Sequence, residues 1–175
     1  ALPISDALGV KRVPAVKGQA FPAYDPRALK GVGVTYATSP QGADHTAGHT
    51  LRGTIDHHKP QGQAQESLQA QINAAICDTL GTCLFLMPCL GQRLDILAEI
   101  LGALEGEAWQ LADLEQLGRQ VLGWEREFNQ RAGFSPRDDQ LPEFCRSEPL
   151  YPAGTVFDVP ESELAWVTQV MDDIS

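Results

Sequence analysis

Leu68, Ile72, Ile76 and Leu80 recur at helical spacing, and their stripe runs into Cys77-Asp78-Thr79-Leu80-Gly81-Thr82-Cys83. Apolar residues four apart fall on one face of an α-helix, so the chain is committed to a buried helix that runs out near Gly81. An acid, a glycine and a thiol are thereby gathered at one helix end. A carboxylate there accepts hydrogen bonds from a ring bearing N–H and NH₂ groups. The glycine admits a bulky ligand to the backbone, and a thiolate holds a soft metal. The same spacing also describes a plain helix end with a buried cysteine, and taken alone it does not choose between the two.

Other segments carry the same helical period. Leu94, Leu97, Leu101 and Leu104 predict a helix over about 92–105. Leu111, Leu114, Leu117, Val121, Leu122 and Phe128 predict one over about 107–131 with those residues inward. On that helix Glu125 and Arg126 fall on the wet side and read as a solvated face. Asp25-Pro26 reads as N-cap and first helical residue of a helix over 27–38. Gly31 and Gly33 cost that helix about 1 kcal/mol each relative to Ala, which close packing would have to offset. Residues 66–80 form the helix of the opening stripe, and a short helix fits 161–172. Pro3, Pro14, Pro22 and Pro26 make residues 1–26 an extended or irregular leader. Residues 39–65 form a long polar loop, and residues 133–175 a Pro-rich tail. No strong alternating strand pattern is present. The expectation is an all-α fold, a single irregular helical domain over 1–175 with long loops and no substantial sheet.

The composition, 43% hydrophobic and 21% charged, is that of a globular chain long enough to bury a core. Its net charge of −10 argues against nucleic-acid and anionic-membrane surfaces, which need clustered Lys and Arg. There is no apolar run of about 18 residues and no cationic leader before an apolar stretch. The four cysteines lack the density of a secreted disulfide scaffold, so the expected compartment is the cytoplasm.

The histidines cluster in the polar loop. Asp56-His57-His58 has the look of an acid-His-His metal element, but no upstream acids or strand end accompany it, and Lys59-Pro60 makes it an exposed loop. His45 and His49 stand four apart, a zinc-sharing distance on a helix. Thr46, Gly48 and the Pro-Gly-rich flanks speak against a helix there.

Four blocks, in order, resemble one family. They are Val16-Lys17-Gly18-Gln19 running through Pro22-Ala23-Tyr24-Asp25-Pro26-Arg27, and Gly33-Val34-Thr35-Tyr36-Ala37-Thr38-Ser39 with Gly42 and His45. The third is the Asp78/Gly81/Cys83 element. The fourth is Trp124-Glu125-Arg126-Glu127-Phe128-Asn129-Gln130-Arg131-Ala132-Gly133-Phe134, followed by Arg137-Asp138-Asp139-Gln140-Leu141-Pro142 and Glu148-Pro149-Leu150. Together they resemble the aldehyde:ferredoxin oxidoreductases, tungsten- or molybdenum-pterin enzymes that oxidise aldehydes to carboxylic acids.

The resemblance implies a carboxy-terminal domain of a longer enzyme, whose amino-terminal part supplies a CxxCxxxC cluster and much of the pterin site. It implies that Cys83 is the fourth ligand of a [4Fe–4S] cluster and that Asp78 holds the pterin ring. Gln41, Gly42, Thr82 and Leu84 fall with them at the bis-pterin, and His45 handles protons beside the metal. The implied partners are the remaining amino-terminal part, ferredoxin, an aldehyde and a second copy of the chain in a homodimer. Nucleic acid and membrane are not among them. On this reading the isolated chain carries neither cofactor and is inactive. Asp78, Cys83 and His45 would face one concavity, with the 39–65 loop mobile or folded over it. Cys77, Cys89 and Cys145 would be structural or free thiols. Three positions depart from the family: Gln41 replaces a basic residue, Ala47 replaces Lys or Arg, and Thr82 replaces Leu. They keep two alternatives open, the same scaffold reducing a thioester or aromatic ring, and a non-catalytic helical interaction module.

Overall fold

The computed structural model describes residues 2–86 and 93–173. Its elements in chain order are α1 (Leu2–Ala7), β1 (Ala15–Val16), β2 (Gln19–Ala20), α2 (Lys30–Thr38) and α3 (Gln63–Thr79). A single 3₁₀ turn (Leu84–Leu86), α4 (Leu94–Glu105), α5 (Leu111–Arg131), α6 (Phe144–Ser147) and α7 (Glu161–Asp172) follow. Among the described residues the sheet is one two-stranded hairpin with Ala15 opposite Ala20 and Val16 opposite Gln19. The fold is mainly α with long loops, as the periodicities predict.

α2 sits at the centre, with all nine of its residues buried. It starts three residues later than predicted. Asp25 caps a turn ahead of it instead, its carboxylate accepting the Arg27 backbone N–H at 2.9 Å and the Arg27 guanidinium at 2.7 Å. Gly31 and Gly33 provide the close approach their cost demands. A Cβ at Gly33 would stand 2.6 Å from the Phe157 ring, and one at Gly31 would stand 2.6 Å from Thr50 Oγ1. Neither site has room for it.

α3 packs its Leu68–Ile72–Ile76 stripe between α2 and α5. Its seam with α2 is polar. Thr35 Oγ1 and Ser67 Oγ lie 2.8 Å apart, and Gln71 Nε2 donates to Thr38 Oγ1 at 3.0 Å and to Ser67 Oγ at 3.1 Å. The hydroxyls and Gln71 Nε2 find partners in one another, while the buried Gln71 Oε1 has none among the described residues. α5 approaches α3 at Gly118, where a Cβ would be 2.7 Å from the Ile72 carbonyl oxygen.

Several expectations on the helical faces are overturned. Leu104 is 77% exposed, Leu111 44% and Phe128 72%. Arg126 is not on a solvated face but buried, and Glu125 is half-buried. The reason lies outside α5. Arg126 Nε donates to Asp172 of α7 at 2.7 Å, and its Nη1 reaches Asp139 at 3.4 Å. Asp139 in turn pairs with Lys17 Nζ at 2.6 Å. The apolar period of one helix does not register acids brought in by distant segments. Residues 1–26 also contain more than an extended leader, since α1 and the hairpin lie within them. Pro3 is tolerated in the first turn of α1, where a backbone N–H has no intrahelical partner.

Candidate cofactor-facing site

The end of α3 is built by its glycine. Gly81 has φ +63, its N–H bonds the Asp78 carbonyl at 3.1 Å, and the Thr82 N–H reaches back to the Cys77 carbonyl at 2.8 Å. This left-handed C-terminal cap satisfies carbonyls that a helix end otherwise leaves open. A Cβ on Gly81 would meet no atom of the described residues within 4 Å, so the backbone conformation, and not crowding, asks for glycine here.

The cap sorts the neighbouring side chains. Cys77 is buried, and that burial, then Asp78, pushes its thiol pKa up. Asp78 is exposed, and its carboxylate takes no hydrogen-bond or ion-pair partner among the described residues. Thr82 and Leu84 are half-buried and the Cys83 thiol is exposed. Cys145 is buried, its thiol pushed up to about 12 by burial and the nearby Asp25. Cys89 lies outside the described residues.

The turn bearing Gln41 and Gly42 meets α5 nearby. Asn129 Nδ2 donates to the Pro40 carbonyl at 2.8 Å. Pro40 and Gln41 line a groove of about 350 Å³ with Trp124, Glu125, Phe128 and Asn129. Burial raises the Glu125 pKa, and the Asp78 carboxylate raises it further, which ties this groove to the end of α3. The sequence reading missed Trp124, Glu125 and Phe128 as groove residues. The available signal was an aromatic pair four apart on α5 flanking an acid.

His45 has a different neighbourhood. It is half-exposed, with Nδ1 3.7 Å from an Asp44 oxygen. Its ring lies 5.4 Å from that of Tyr24 and 5.9 Å from that of His49, and His49 stands edge-on to Tyr24 at 4.6 Å. The Leu51 N–H donates to His49 Nδ1 at 3.0 Å, which leaves Nε2 to carry the proton of the neutral ring. Burial, then the nearby His45, lowers the His49 pKa. The two histidines therefore meet through irregular backbone and not along a helix. Asp56 acts as a loop cap, accepting the His58 N–H at 3.0 Å. No contact among the described residues joins His45 to Asp78 or Cys83. Nor does any group of three or more His, Cys, Asp or Glu among them gather to hold a metal ion.

The donor set suits a planar heterocycle and a shared cluster, with an unspent carboxylate, an accessible thiol and open space over a glycine. It offers one thiolate where a [4Fe–4S] cluster needs four, so any further ligands come from outside the described residues.

These features define a mainly helical fold in which an acid and a thiol stand exposed beside a glycine-capped helix end. The chain belongs to the aldehyde ferredoxin oxidoreductase family, whose model for domains 2 & 3 matches residues 4–169. The tungsten-containing aldehyde ferredoxin oxidoreductase of Pyrococcus furiosus is 32% identical over 144 residues, covering 77% of this chain and 24% of that protein. The enzymes of the same name from Pyrococcus abyssi and Thermococcus kodakarensis are 30% identical over 151 and 145 residues, covering 81% and 78% of this chain and 24% of each protein. The chain thus spans 24% of the length of these relatives. No helix among its described residues is long and apolar enough to cross a membrane.

Proposed function

We propose that this chain forms one wall of the cofactor site in a cytoplasmic, tungsten-pterin aldehyde oxidoreductase. The observation that carries the reading is the end of α3, where the exposed Asp78 carboxylate has no hydrogen-bond or ion-pair partner among the described residues and Cys83 is exposed beside the glycine cap. When bound, a tungsten– or molybdenum–bis-pterin with its neighbouring [4Fe–4S] cluster would supply the two-electron oxidation of an aldehyde and its single-electron relay to ferredoxin. Written in full, RCHO and H₂O give RCOOH, two protons and two electrons. Asp78 accepts hydrogen bonds from the pterin N–H and NH₂ groups, and Cys83 supplies one cluster thiolate. Gln41, Gly42, Thr82 and Leu84 bound the pterin edge. His45, packed against Tyr24 and His49, accepts and returns a proton on its imidazole.

The test is made in the full-length protein. Cys83→Ser is expected to reduce iron–sulfur absorbance and bound iron per chain. Asp78→Asn is expected to lower tungsten and pterin retention by roughly tenfold or more, the usual scale for losing a supporting contact. Full iron content in the Cys83→Ser protein would remove the cluster assignment, and unchanged pterin content in Asp78→Asn would remove the pterin one.

A further inference from the structure

The β1–β2 turn uses a costly residue. A two-residue hairpin of this kind needs positive φ at both central positions, and Asn-Gly meets that need most cheaply. Here the central pair is Lys17, φ +48, and Gly18, φ +81. Lys17 is the one non-glycine residue with positive φ among the described residues. A lysine in that conformation is strained where an asparagine would be much less so. Its side chain gains something that a shorter one would not reach.

Lys17 turns inward and is only 4% exposed. Its Nζ donates to the Ala37 carbonyl at 2.8 Å and the Ser39 carbonyl at 3.1 Å, and pairs with Asp139 at 2.6 Å. Two carbonyls that accept from Nζ and a carboxylate that pairs with it suit an ammonium, although burial lowers its pKa. The two carbonyls belong to the C-terminal end of α2, where partial negative charge collects and a cation is favoured. The next residues in the chain are Pro40, Gln41 and Gly42.

That turn is held from both sides. Gly42 lies against the hairpin so closely that a Cβ would be 2.5 Å from the Val16 carbonyl oxygen. The Gly42 N–H bonds the Ser39 carbonyl at 3.0 Å, the same oxygen that Lys17 holds. From the far side Asn129 grips the Pro40 carbonyl. Between these two grips Gln41 is exposed and lines the groove with Trp124, Glu125 and Phe128.

We propose that Lys17 is a positioning residue, whose ammonium fixes the 39–42 turn and so presents Gln41 to the cofactor face. The cofactor half of this statement rests on the function proposed above; the clamp half does not. Lys17→Asn separates clamp from hairpin, because it suits the turn better than lysine while removing the long cationic reach. Asn129→Ala releases the other grip without touching the hairpin or the ion pair.

Both variants are made in the full-length protein. Amide hydrogen exchange of a peptide covering 37–44 is compared with one from the middle of α3, alongside tungsten content per chain. Lys17→Asn is expected to speed exchange in 37–44 by roughly tenfold or more, the scale of a lost charge-assisted hydrogen bond, with α3 unchanged and tungsten content reduced. Asn129→Ala is expected to act in the same direction more weakly, and it carries the test if Lys17→Asn does not fold. Unchanged exchange in 37–44, or an equal rise in α3 and 37–44, overturns the clamp and leaves the function proposal standing. Faster local exchange with full tungsten content keeps the clamp and overturns the use of this turn by the cofactor.

Discussion

α2 and α5 solve the same problem, burial of a helix, in opposite ways. α2 is short, and buried all round its circumference, so it takes glycines for close approach and threonines that bond across its seam with α3. α5 spans 21 residues and buries few of them, Leu114, Gly118, Leu122, Gly123 and Arg126. It leaves Trp124 and Phe128 in a groove beside the candidate site. A helix with no wet side has almost no freedom in sequence. A two-sided helix has freedom on one side, and there it carries groups the fold does not need.

The strongest challenge to this contrast is on α5 itself. Arg126→Leu is expected to cost about 3 kcal/mol in chemical denaturation, because it breaks a buried network that joins Arg126 to both Asp139 and Asp172, even though Lys17 still faces Asp139. Phe128→Ser, two residues on, is expected to change stability by no more than about 0.5 kcal/mol. A reversed order would return Arg126 to the solvated face that its sequence pattern suggests.

On α2 the expected cost is smaller but has no escape direction. Gly33→Ala forces the Phe157 ring and Pro26 apart, and a loss of about 1–3 kcal/mol in a urea melt is expected. A neutral result would show that α2 is less tightly held than its burial implies.

The smallest effect is pH-dependent and concerns the groove. Glu125 has its pKa raised by burial and by Asp78, so the folded state prefers the protonated acid. That contribution is complete below the unfolded pKa and is lost as pH rises through the folded pKa. Glu125→Gln keeps it at all pH values. The variant is therefore expected to match the parent in acid near pH 4 and to become modestly more stable than it toward about pH 7, read from paired denaturant midpoints. A gap that instead grows toward acid would reverse the assigned shift.

What the sequence disclosed and what it hid divide along separation in the chain. The end of α3 was legible, because Asp78, Gly81 and Cys83 lie within one turn and a cap, and local spacing determines which of them face out. The helices at 94–105, 111–131 and 161–172 were legible for the same reason. Arg126 was misread because its partners stand 13 and 46 residues away, at Asp139 and Asp172. Gln41 shares its groove with Glu125 and Asn129 across the far wider gap between the α2 end and α5, so the groove had no local signature. Tyr24 likewise reaches His45 and His49 only after the chain has passed through α2. The α1 helix was hidden behind prolines that bar a helix interior but not its first turn.

Lys30 at the start of α2 pairs with Asp158, 128 residues further on, and Gly33 seats against Phe157. During synthesis the ribosome makes α2 well before the segment that roofs it, since 128 residues separate Lys30 from Asp158. Until then a helix with no wet side has no complete dry side either. The central helix is consequently enclosed only once residues 157 and 158 are made, and a chain interrupted before residue 157 leaves the Gly33 side of α2 open to water.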